Sequence, residues 1–206
     1  LFQTQDEIDN YGVDQDGSGN ATLAPGDIKY VDQNGDHRIT SEDQVYVKNS
    51  SYPDMDLAIR VGAAYKGFFL NALFQGELGY KQNIIESYTL DNGTLQKFQK
   101  YHMDETWTTD NPNARYPRIK FVTSNDNNRR SSTFWIQNCN FVRLKMLSIG
   151  YQFPRNMIKQ LGISSASLAF QASNLFTITD LKGMDPESLR GYPIQRSFGA
   201  TLNLGF

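Results

Sequence analysis

A run of oxygen-bearing side chains between residues 32 and 43 has the spacing of a cation-binding loop. Counted from the first aspartate, side-chain oxygens occupy positions one, three, five, nine and twelve, and position seven offers its backbone carbonyl. Oxygen ligands at this spacing can wrap one hard divalent cation, so the sequence predicts a Ca²⁺ site. The ligands would be Asp32, Asn34, Asp36, Arg38, Thr40 and Asp43.

This loop departs from the usual calcium-loop pattern at two positions. His37 stands at position six, where glycine normally makes the sharp turn, and Asp43 replaces the longer glutamate at position twelve. The alternative is a loop without a cation, in which Asx side chains accept hydrogen bonds from the loop's own backbone. In either case the loop is a local staple, and the sequence leaves both interpretations open.

A second set of residues with binding chemistry lies in the long polar stretch 81–134. Aromatic rings there could stack on sugars or peptides, and a guanidinium could donate hydrogen bonds to them. The predicted substrate or partner contacts are Tyr101, Trp107, Arg115 and Tyr116. The alternative is that these residues pack the loop onto itself. In the same stretch, residues 95–104 are a candidate short helix, and residues 123–132 are predicted to be mobile.

Composition argues against several functional classes. The 20 basic and 22 acidic residues give a formal charge of −2, which provides no basic field for nucleic acid. The lone Cys139 has no nucleophile motif around it, and neither histidine lies near one. Nearby carboxylates, such as those of Asp185 and Glu187, are not fixed across a cleft at a catalytic separation. We therefore expect no enzymatic activity.

The remaining segments alternate between apolar and polar residues with the period of two that is typical of β-strands. Their apolar residues fall on one face, whereas the other face carries Arg60, Gln75 and Glu77. In one of these strands, Arg143 and Lys145 share the parity of the apolar row, so we expect them on that face, above a membrane. The predicted strands are 55–65, 68–78, 140–153, 168–173 and 193–206, with a tight turn at Lys66-Gly67.

Long and short connections alternate between these strands. Residues 1–52 and 81–134 are long, 66–67 and 154–165 are short, and 180–192 is of medium length. This is the pattern of outer-membrane barrels, which combine short periplasmic turns with longer extracellular loops. It places aromatic residues from several strands near one height, as an interfacial girdle requires: Tyr65, Phe68, Tyr151, Phe153 and Phe206.

Successive blocks of this sequence resemble the C-terminal region of the SusC/RagA-type TonB-dependent outer-membrane transporters of Bacteroidetes. The blocks are LFQTQDEID, LAPGDIKYVDQNGD, AAYKGFFLNALFQG, NARYPR, FVRLKMLSIGYQFP, LGISSASLAFQASNLFTITDLKGMDPE and GYPIQRSFGATLNLGF. They follow the order of the family and cover nearly the whole chain. The family pattern usually has glycine at the position of His37.

The resemblance implies an all-β fold: a transmembrane antiparallel β-barrel segment, the last five strands of a large plugged barrel, with long extracellular loops. It implies import of oligosaccharides, glycans or peptides across the Gram-negative outer membrane, with a SusD-like surface lipoprotein as partner. Energy would come from the TonB complex, through an N-terminal part and plug that this chain lacks. Barrel strands would contact outer-membrane lipids, and no nucleic acid partner is implied.

The predicted organisation has two parts. Residues 1–52 form an extracellular loop region with the calcium-like loop, and residues 53–206 supply barrel strands together with the extracellular loop 81–134. The alternative fold and function is a soluble, calcium-stabilised, carbohydrate-binding β-sandwich, in which a second sheet would cover the apolar face.

Overall fold

The computed structural model describes residues 1–47, 52–85, 100–120, 126–189 and 192–206, without the side chain of Tyr101. The chain divides into two compact units. The first, called the loop unit, combines Leu1–Lys48 with Asn83–Ile136. The second, called the sheet unit, combines Asn49–Gln82 with Gln137–Phe206. The two stretches predicted to be long loops therefore fold together, although they are far apart in sequence.

The sheet unit is built on one antiparallel sheet. Its long strands are Met55–Tyr65 (β1), Phe68–Leu78 (β2), Phe141–Gln152 (β5), Ser165–Ser173 (β6) and Ser197–Gly205 (β8). They are hydrogen-bonded in the order β1-β2-β5-β6-β8, and the short strand Thr177–Thr179 (β7) also pairs with β5. Lys81–Asn83 (β3) and Ile136–Asn138 (β4) form a separate pair where the chain passes between the units. The predicted strands and their antiparallel order are confirmed.

The predicted turn between β1 and β2 has the backbone of a two-residue hairpin turn. Lys66 and Gly67 have φ of +48° and +89°, the left-handed conformation that the favoured hairpin turns require. A side chain at Gly67 would collide with the carbonyl oxygen of Gln152, 2.8 Å from the position of an added Cβ. The turn fixes the register, in which Tyr65 faces Phe68 and Met55 faces Leu78.

Cross-strand pairing separates the sheet into an apolar and a polar face. One row runs from Val61 through Ala72 and Leu147 to Ala172 and Phe198. Many large side chains on this face are exposed, such as Phe170 at 62% and Leu202 at 60%, whereas the small Ala72 is buried. The alternative sandwich needs these side chains to be covered by a second sheet, and within the described residues they are not.

Aromatic residues form a row at one end of the sheet. Tyr65, Phe68 and Tyr151 are direct cross-strand partners, and the rings of Phe68 and Tyr151 lie 4.6 Å apart between centroids. Phe153 follows Tyr151 by two residues, and their rings meet edge-on at 5.2 Å. Phe206 lies beyond Gly205, which pairs with Ser165. Tyr65, Phe68 and Tyr151 therefore lie at one height, whereas Phe153 and Phe206 lie progressively further along the chain direction of their strands.

A β-bulge in β5 corrects the predicted orientation of Arg143. Leu73 pairs with Met146 but Phe74 pairs with Leu144, so Lys145 is an extra residue in the register. One inserted residue reverses the sheet face on which the preceding side chains of the strand lie. Arg143 therefore pairs with Gln75 on the polar face and does not lie with Leu147 on the apolar face. Simple alternation could not show this, and the prediction for Arg143 was wrong.

Helices in the described residues are short. Gln5–Asp9 (α1) begins after its N-cap Thr4, whose hydroxyl accepts the Glu7 N–H at 3.1 Å. The others are Lys100–Asp104 (α2), Arg155–Ile158 (α3) and the 3₁₀ turns Ser41–Asp43, Asn127–Arg129, Thr133–Trp135 and Lys159–Leu161. Among them there is no helix with the length and apolar character to cross a membrane.

The candidate helix 95–104 and the candidate mobile segment 123–132 lie only partly within the described residues. Helix α2 confirms the end of the first. The described part of the second, 126–132, is packed rather than loose. Asn127 and Asn128 are buried, and Asn128 Oδ1 accepts the Ile28 N–H at 2.8 Å. Low apolar content predicted mobility, but amide side chains can replace apolar contacts by satisfying backbone groups.

Candidate functional site

Four charged side chains meet on the polar face of the sheet unit. Arg143 Nη2 lies 2.6 Å from Asp185 Oδ1, and Arg143 Nη1 lies 3.1 Å from Glu187 Oε2. Lys145 Nζ lies 2.6 Å from Glu187 Oε1. The bulge in β5 places both cations on the side of the β7–β8 connection, which carries both carboxylates. Two positive and two negative charges therefore balance in a small volume, where Arg143 is only 2% exposed.

Asp185 is also fixed by backbone donors. Burial by itself raises the pKa of this carboxyl, but hydrogen bonds from Arg143 and from the N–H groups of Glu187 and Ile194 outweigh burial and hold the pKa below its ordinary value. Asp185 thus stays ionised at neutral pH. The sequence showed the Asp185 and Glu187 pair, but its partners could not be found because the bulge conceals their orientation.

In the Asp32 loop, the predicted ligands accept hydrogen bonds from the loop backbone. The Asp32 carboxylate accepts from Gly35 and His37 at 2.7 and 2.9 Å. The Asp43 carboxylate accepts from Gln33 and Thr40 at 2.8 and 2.7 Å. No group of three acidic, histidine or cysteine side chains within the described residues is arranged to hold a metal ion. The loop as it stands matches the Asx-turn alternative.

Two further predicted ligands behave in the same way. Asn34 Oδ1 accepts the Asp36 N–H at 3.0 Å, and Asp36 Oδ1 accepts the Arg38 N–H at 2.9 Å. The Thr40 hydroxyl caps the 3₁₀ turn that follows by accepting the Glu42 N–H. His37, at position six, has φ of +63° and thus adopts the left-handed backbone that glycine provides in a calcium loop. The substitution of His37 for glycine therefore does not prevent the calcium-loop backbone.

A second loop of the same kind, residues 14–22, lies earlier in the chain. Asp14 Oδ1 accepts N–H groups from Gly17, Ser18 and Gly19, between 2.8 and 3.2 Å. Asp14 also pairs through its backbone with the Asp32 loop, donating to the His37 carbonyl at 2.8 Å and accepting from Ile39 at 3.1 Å. The Asp-x-Asp-Gly spacing of residues 14–17 was the signal that could have revealed this pair of loops.

Acid is expected to weaken the Asp14–Thr22 loop through Asp16. Burial acts to raise the pKa of Asp16, but the Thr22 hydroxyl and the N–H groups of Thr22, Ser18 and Asn20 lower it to about 2. A carboxyl with a depressed folded-state pKa stabilises above its ordinary value of 3.8, and this stabilisation is lost as the pH falls toward 2. We expect a loss of about 1 kcal/mol after solvent screening.

Amide hydrogen exchange of residues 17–22 at pH 5 and at pH 2.5, corrected for intrinsic rates, measures the effect of Asp16. Exchange in the wild type should speed up at the lower pH. In Asp16→Asn it should already be fast at pH 5 and change little with acid. Equal pH sensitivity in both proteins would assign the effect to another carboxyl.

Two of the predicted ligand contacts are core residues of the loop unit. Trp107 is 8% exposed and its indole N–H donates to Gln3 Oε1 at 3.1 Å. Tyr116 is 1% exposed and its ring stacks on Trp135 at 6.3 Å between centroids. Arg115 is half-buried beside the Tyr116 ring, and the Tyr101 side chain lies outside the described residues. The geometry favours the packing alternative for Trp107 and Tyr116.

Asp27 is the centre of the loop unit, and sequence reasoning missed it. It is fully buried, and its Oδ1 accepts from Arg118 Nε at 2.7 Å and from Asn128 Nδ2 at 2.8 Å. Its Oδ2 accepts from the Ala24 N–H at 3.0 Å. The aspartate therefore joins its own segment to Arg118 and Asn128, which are 91 and 101 positions away, a relation that no local spacing could reveal.

Cys139 is buried next to β5 in the sheet unit. Burial raises the pKa of its thiol to about 11, so the nucleophilic thiolate is scarce at neutral pH. Its Sγ donates to the Gln137 carbonyl at 3.5 Å. This environment is that of an inert structural cysteine.

The sequence of this chain is similar to those of known TonB-dependent receptors. The chain is 28% identical over 220 residues to TonB-dependent receptor P3 of Formosa agariphila, a match that covers 95% of the chain and 21% of that receptor. TonB-dependent receptor P26 of the same organism is 28% identical over 190 residues, covering 90% of the chain and 18% of the receptor. No family model matches the sequence. The chain spans about a fifth of the length of the curated relatives it matches.

Solved structures give the same result. The RagAB peptide transporter aligns with a TM-score of 0.55 and 25% identity, covering 80% of the chain and 19% of that protein. The RagAB peptide importer in its open-open state aligns with a TM-score of 0.59 and 26% identity, covering 82% and 19%. The chain is therefore a homologue of TonB-dependent receptors, and its structural neighbours include the RagAB transporters, as the sequence resemblance predicted.

Proposed function

We propose that the chain is part of an outer-membrane transporter of the TonB-dependent type. The observation that supports this most directly is the open antiparallel sheet, with one exposed apolar face and one polar face. An apolar face suits lipid, and a polar face suits the wet interior of a barrel. Both sheet edges, β1 and β8, carry backbone groups that pair with no further strand among the described residues, and in a membrane such edges must find strand partners.

Neighbouring residues of β6 provide a matched test of the two faces. Phe170 pairs with Ile149 and Ala200 on the apolar face, whereas Gln171 pairs with Ser148 and Gly199 on the polar face. A lysine at a lipid-facing position costs about 2 to 4 kcal/mol near the middle of the bilayer, but a lysine facing the interior does not. We expect Phe170→Lys to reduce the amount of full-length protein in the outer membrane severalfold and Gln171→Lys to leave it nearly unchanged.

Membrane fractionation followed by immunoblotting measures both variants. Equal amounts of the two variants would contradict the assignment of the faces. A wild-type protein recovered freely soluble would contradict the proposed location as a whole, and with it the proposed transport function.

The proposed substrates are oligosaccharides, glycans or peptides, with a SusD-like surface lipoprotein as partner and the TonB complex as energy source. The RagAB structures are described as a peptide transporter and importer, which adds support for peptides. Growth of a deletion strain on a defined peptide mixture or on a glycan, with and without the restored gene, separates the two substrate classes. Loss of uptake on collapse of the proton gradient tests the energy source, and co-purification tests the lipoprotein partner.

Ligand contact by residues 81–134 remains part of this proposal, with Arg115 as its most accessible described candidate. A groove of about 1000 Å³ in the loop unit offers a second contact surface. Tyr30, Ile39, Arg130 and Phe134 are among the residues that line it, and they combine apolar, aromatic and cationic groups. Such a mixture can bind an extended peptide or a sugar.

Calcium at the Asp32 loop is a separate proposal. The ligand spacing and the left-handed backbone of His37 support it, whereas the engagement of the carboxylates with backbone N–H groups supports the loop without a cation. If Ca²⁺ binds, titration should slow amide exchange of residues 32–43 in the wild type but not in Asp32→Asn with Asp36→Asn. An unchanged wild type at millimolar Ca²⁺, a concentration typical of weak extracellular sites, would exclude the site.

A further inference from the structure

The connection between β7 and β8 is tied down across the polar face of the sheet unit. Residues 181–189 of this connection have only turns and bends and no regular strand or helix. Leu181 and Pro186 are nevertheless buried, and the Tyr80 hydroxyl donates to the Pro186 carbonyl at 2.7 Å. On the far side, Asn174 Nδ2 donates to the Gln195 carbonyl at 3.0 Å. This segment, residues 181–189, is called the strap below.

Charge is the main means by which the strap is attached. Its two carboxylates, Asp185 and Glu187, meet the two cations of β5 at 2.6 to 3.1 Å. A buried ion cluster adds little net stability compared with apolar packing, but removing one partner leaves a buried charge uncompensated. Such a cluster therefore fixes where the segment lies more than it stabilises the fold. The strap position is thus set by side-chain contacts, chiefly those of the charge cluster, and not by a hydrogen-bonded ladder.

The bulge in β5 is the second observation in favour of a dedicated attachment. If Lys145 were paired regularly with Phe74 instead of being bulged, Arg143 would point to the apolar face, away from both carboxylates. The neighbouring strand segment is irregular at the same level, where Asn174 has φ of +53° and donates to the Lys145 carbonyl at 3.1 Å. A left-handed backbone at a residue other than glycine carries an energetic cost. The backbone is therefore irregular in both segments at the level where the two cations point toward the strap.

We propose that the strap is an electrostatic latch, which the Arg143, Lys145, Asp185 and Glu187 cluster holds closed over the polar face and which opens as one piece when the cluster is broken. Opening uncovers Arg143 and the neighbouring Glu77 on that face. If the chain is part of a transporter, the polar face borders the solute path and the latch restricts access to it. This last step rests on the proposed function, whereas the latch itself does not.

Hydrogen–deuterium exchange of the purified full-length protein tests the latch. In Asp185→Asn with Glu187→Gln, amides of the strap should exchange at least roughly tenfold faster, because buried cations lose their partners. Amides in the middle of β6 and β8 should keep their rates. Lys182→Gln, which removes an exposed charge from the same segment, is the control and should change nothing.

A milder variant keeps the test decisive if the double variant folds poorly. Lys145 is the most exposed of the four side chains and lies 2.6 Å from Glu187, so Lys145→Gln should speed exchange of the strap severalfold and leave β6 and β8 unchanged. Uniform acceleration across β5, β6 and the strap would mean that the cluster is a core element and would overturn the latch. Unchanged strap exchange in the double variant would overturn it as well. Neither outcome depends on transport, so failure of the proposed function would be seen separately in the fractionation and uptake experiments.

Discussion

We expect Asp27→Asn to destabilise the loop unit by about 3 kcal/mol, the lower end of the cost of breaking a buried ion pair. The wild-type carboxylate neutralises Arg118 at 2.7 Å and has Lys120 3.9 Å away, and it is itself fully buried. An asparagine presents an amide N–H₂ to the guanidinium, so one donor faces another. The lower end of the range applies because Arg118 is partly exposed and can turn toward water.

Exchange of buried amides in the loop unit of the full-length protein measures this loss. Opening of the backbone bonds Phe2 N–H to Asp27 O and Arg118 N–H to Gly26 O should become roughly a hundredfold more frequent. Glu7→Gln is the control, since its ion pair with Lys29 is exposed and such pairs contribute less than about 1 kcal/mol. Similar effects of Asp27→Asn and Glu7→Gln would show that burial of the pair is unimportant.

The sheet could be predicted from sequence because its physics is local. Alternation with a period of two assigns β1, β2, β5, β6 and β8, and Lys66-Gly67 supplies the left-handed backbone of a hairpin turn. These features depend on residues adjacent in the chain. The bulge at Lys145 does not, because an extra residue is visible only in the register with β2. For that reason the facing of Arg143 was predicted wrongly, and its ion cluster was missed.

The loop unit could not be predicted for a related reason. Its stabilising contacts join residues about a hundred positions apart, such as Ile28 with Asn128 and Asp27 with Arg118. Polar composition indicated loops, and exposed aromatic residues would then be available for ligands. Instead Trp107 and Tyr116 are themselves buried in the core that these loops enclose. Aromatic residues in polar segments thus carry two opposite interpretations, and only tertiary contacts distinguish them.

The two units differ in where their large apolar side chains lie. The sheet unit leaves many large side chains of its apolar face exposed, which water does not favour but lipid does. The loop unit does the reverse and buries a small aromatic core beneath polar chains. In the described part of these loops, Asx side chains, caps and a buried aspartate stabilise the backbone in place of long strand ladders. Perturbing the loop unit should therefore act through individual side-chain acceptors and through close packing at a few positions.

Gly26 is the most closely packed of the described glycines in the loop unit, and we expect Gly26→Ala to destabilise this unit by about 3 kcal/mol or more. Its φ is +89°, a backbone conformation that costs an alanine about 1 to 2 kcal/mol. A Cβ built there lies 2.4 Å from Trp107 Cε3 and 2.9 Å from Arg118 Cβ, so the indole and the segment carrying Arg118 must both move. Overpacking of this kind typically adds about 1 to 3 kcal/mol.

Gly17→Ala separates the two contributions at Gly26. Gly17 also has a left-handed backbone, with φ of +73°, but nothing lies within 4 Å of an added Cβ. It should therefore cost only the conformational term, about 1 to 2 kcal/mol. The same amide-exchange measurement as for Asp27 compares both variants, and Trp107→Leu combined with Gly26→Ala should recover part of the overpacking loss. If Gly26→Ala and Gly17→Ala cost the same, Trp107 does not pack on Gly26 in solution, and the aromatic residue becomes available again for the contact role that its sequence first suggested.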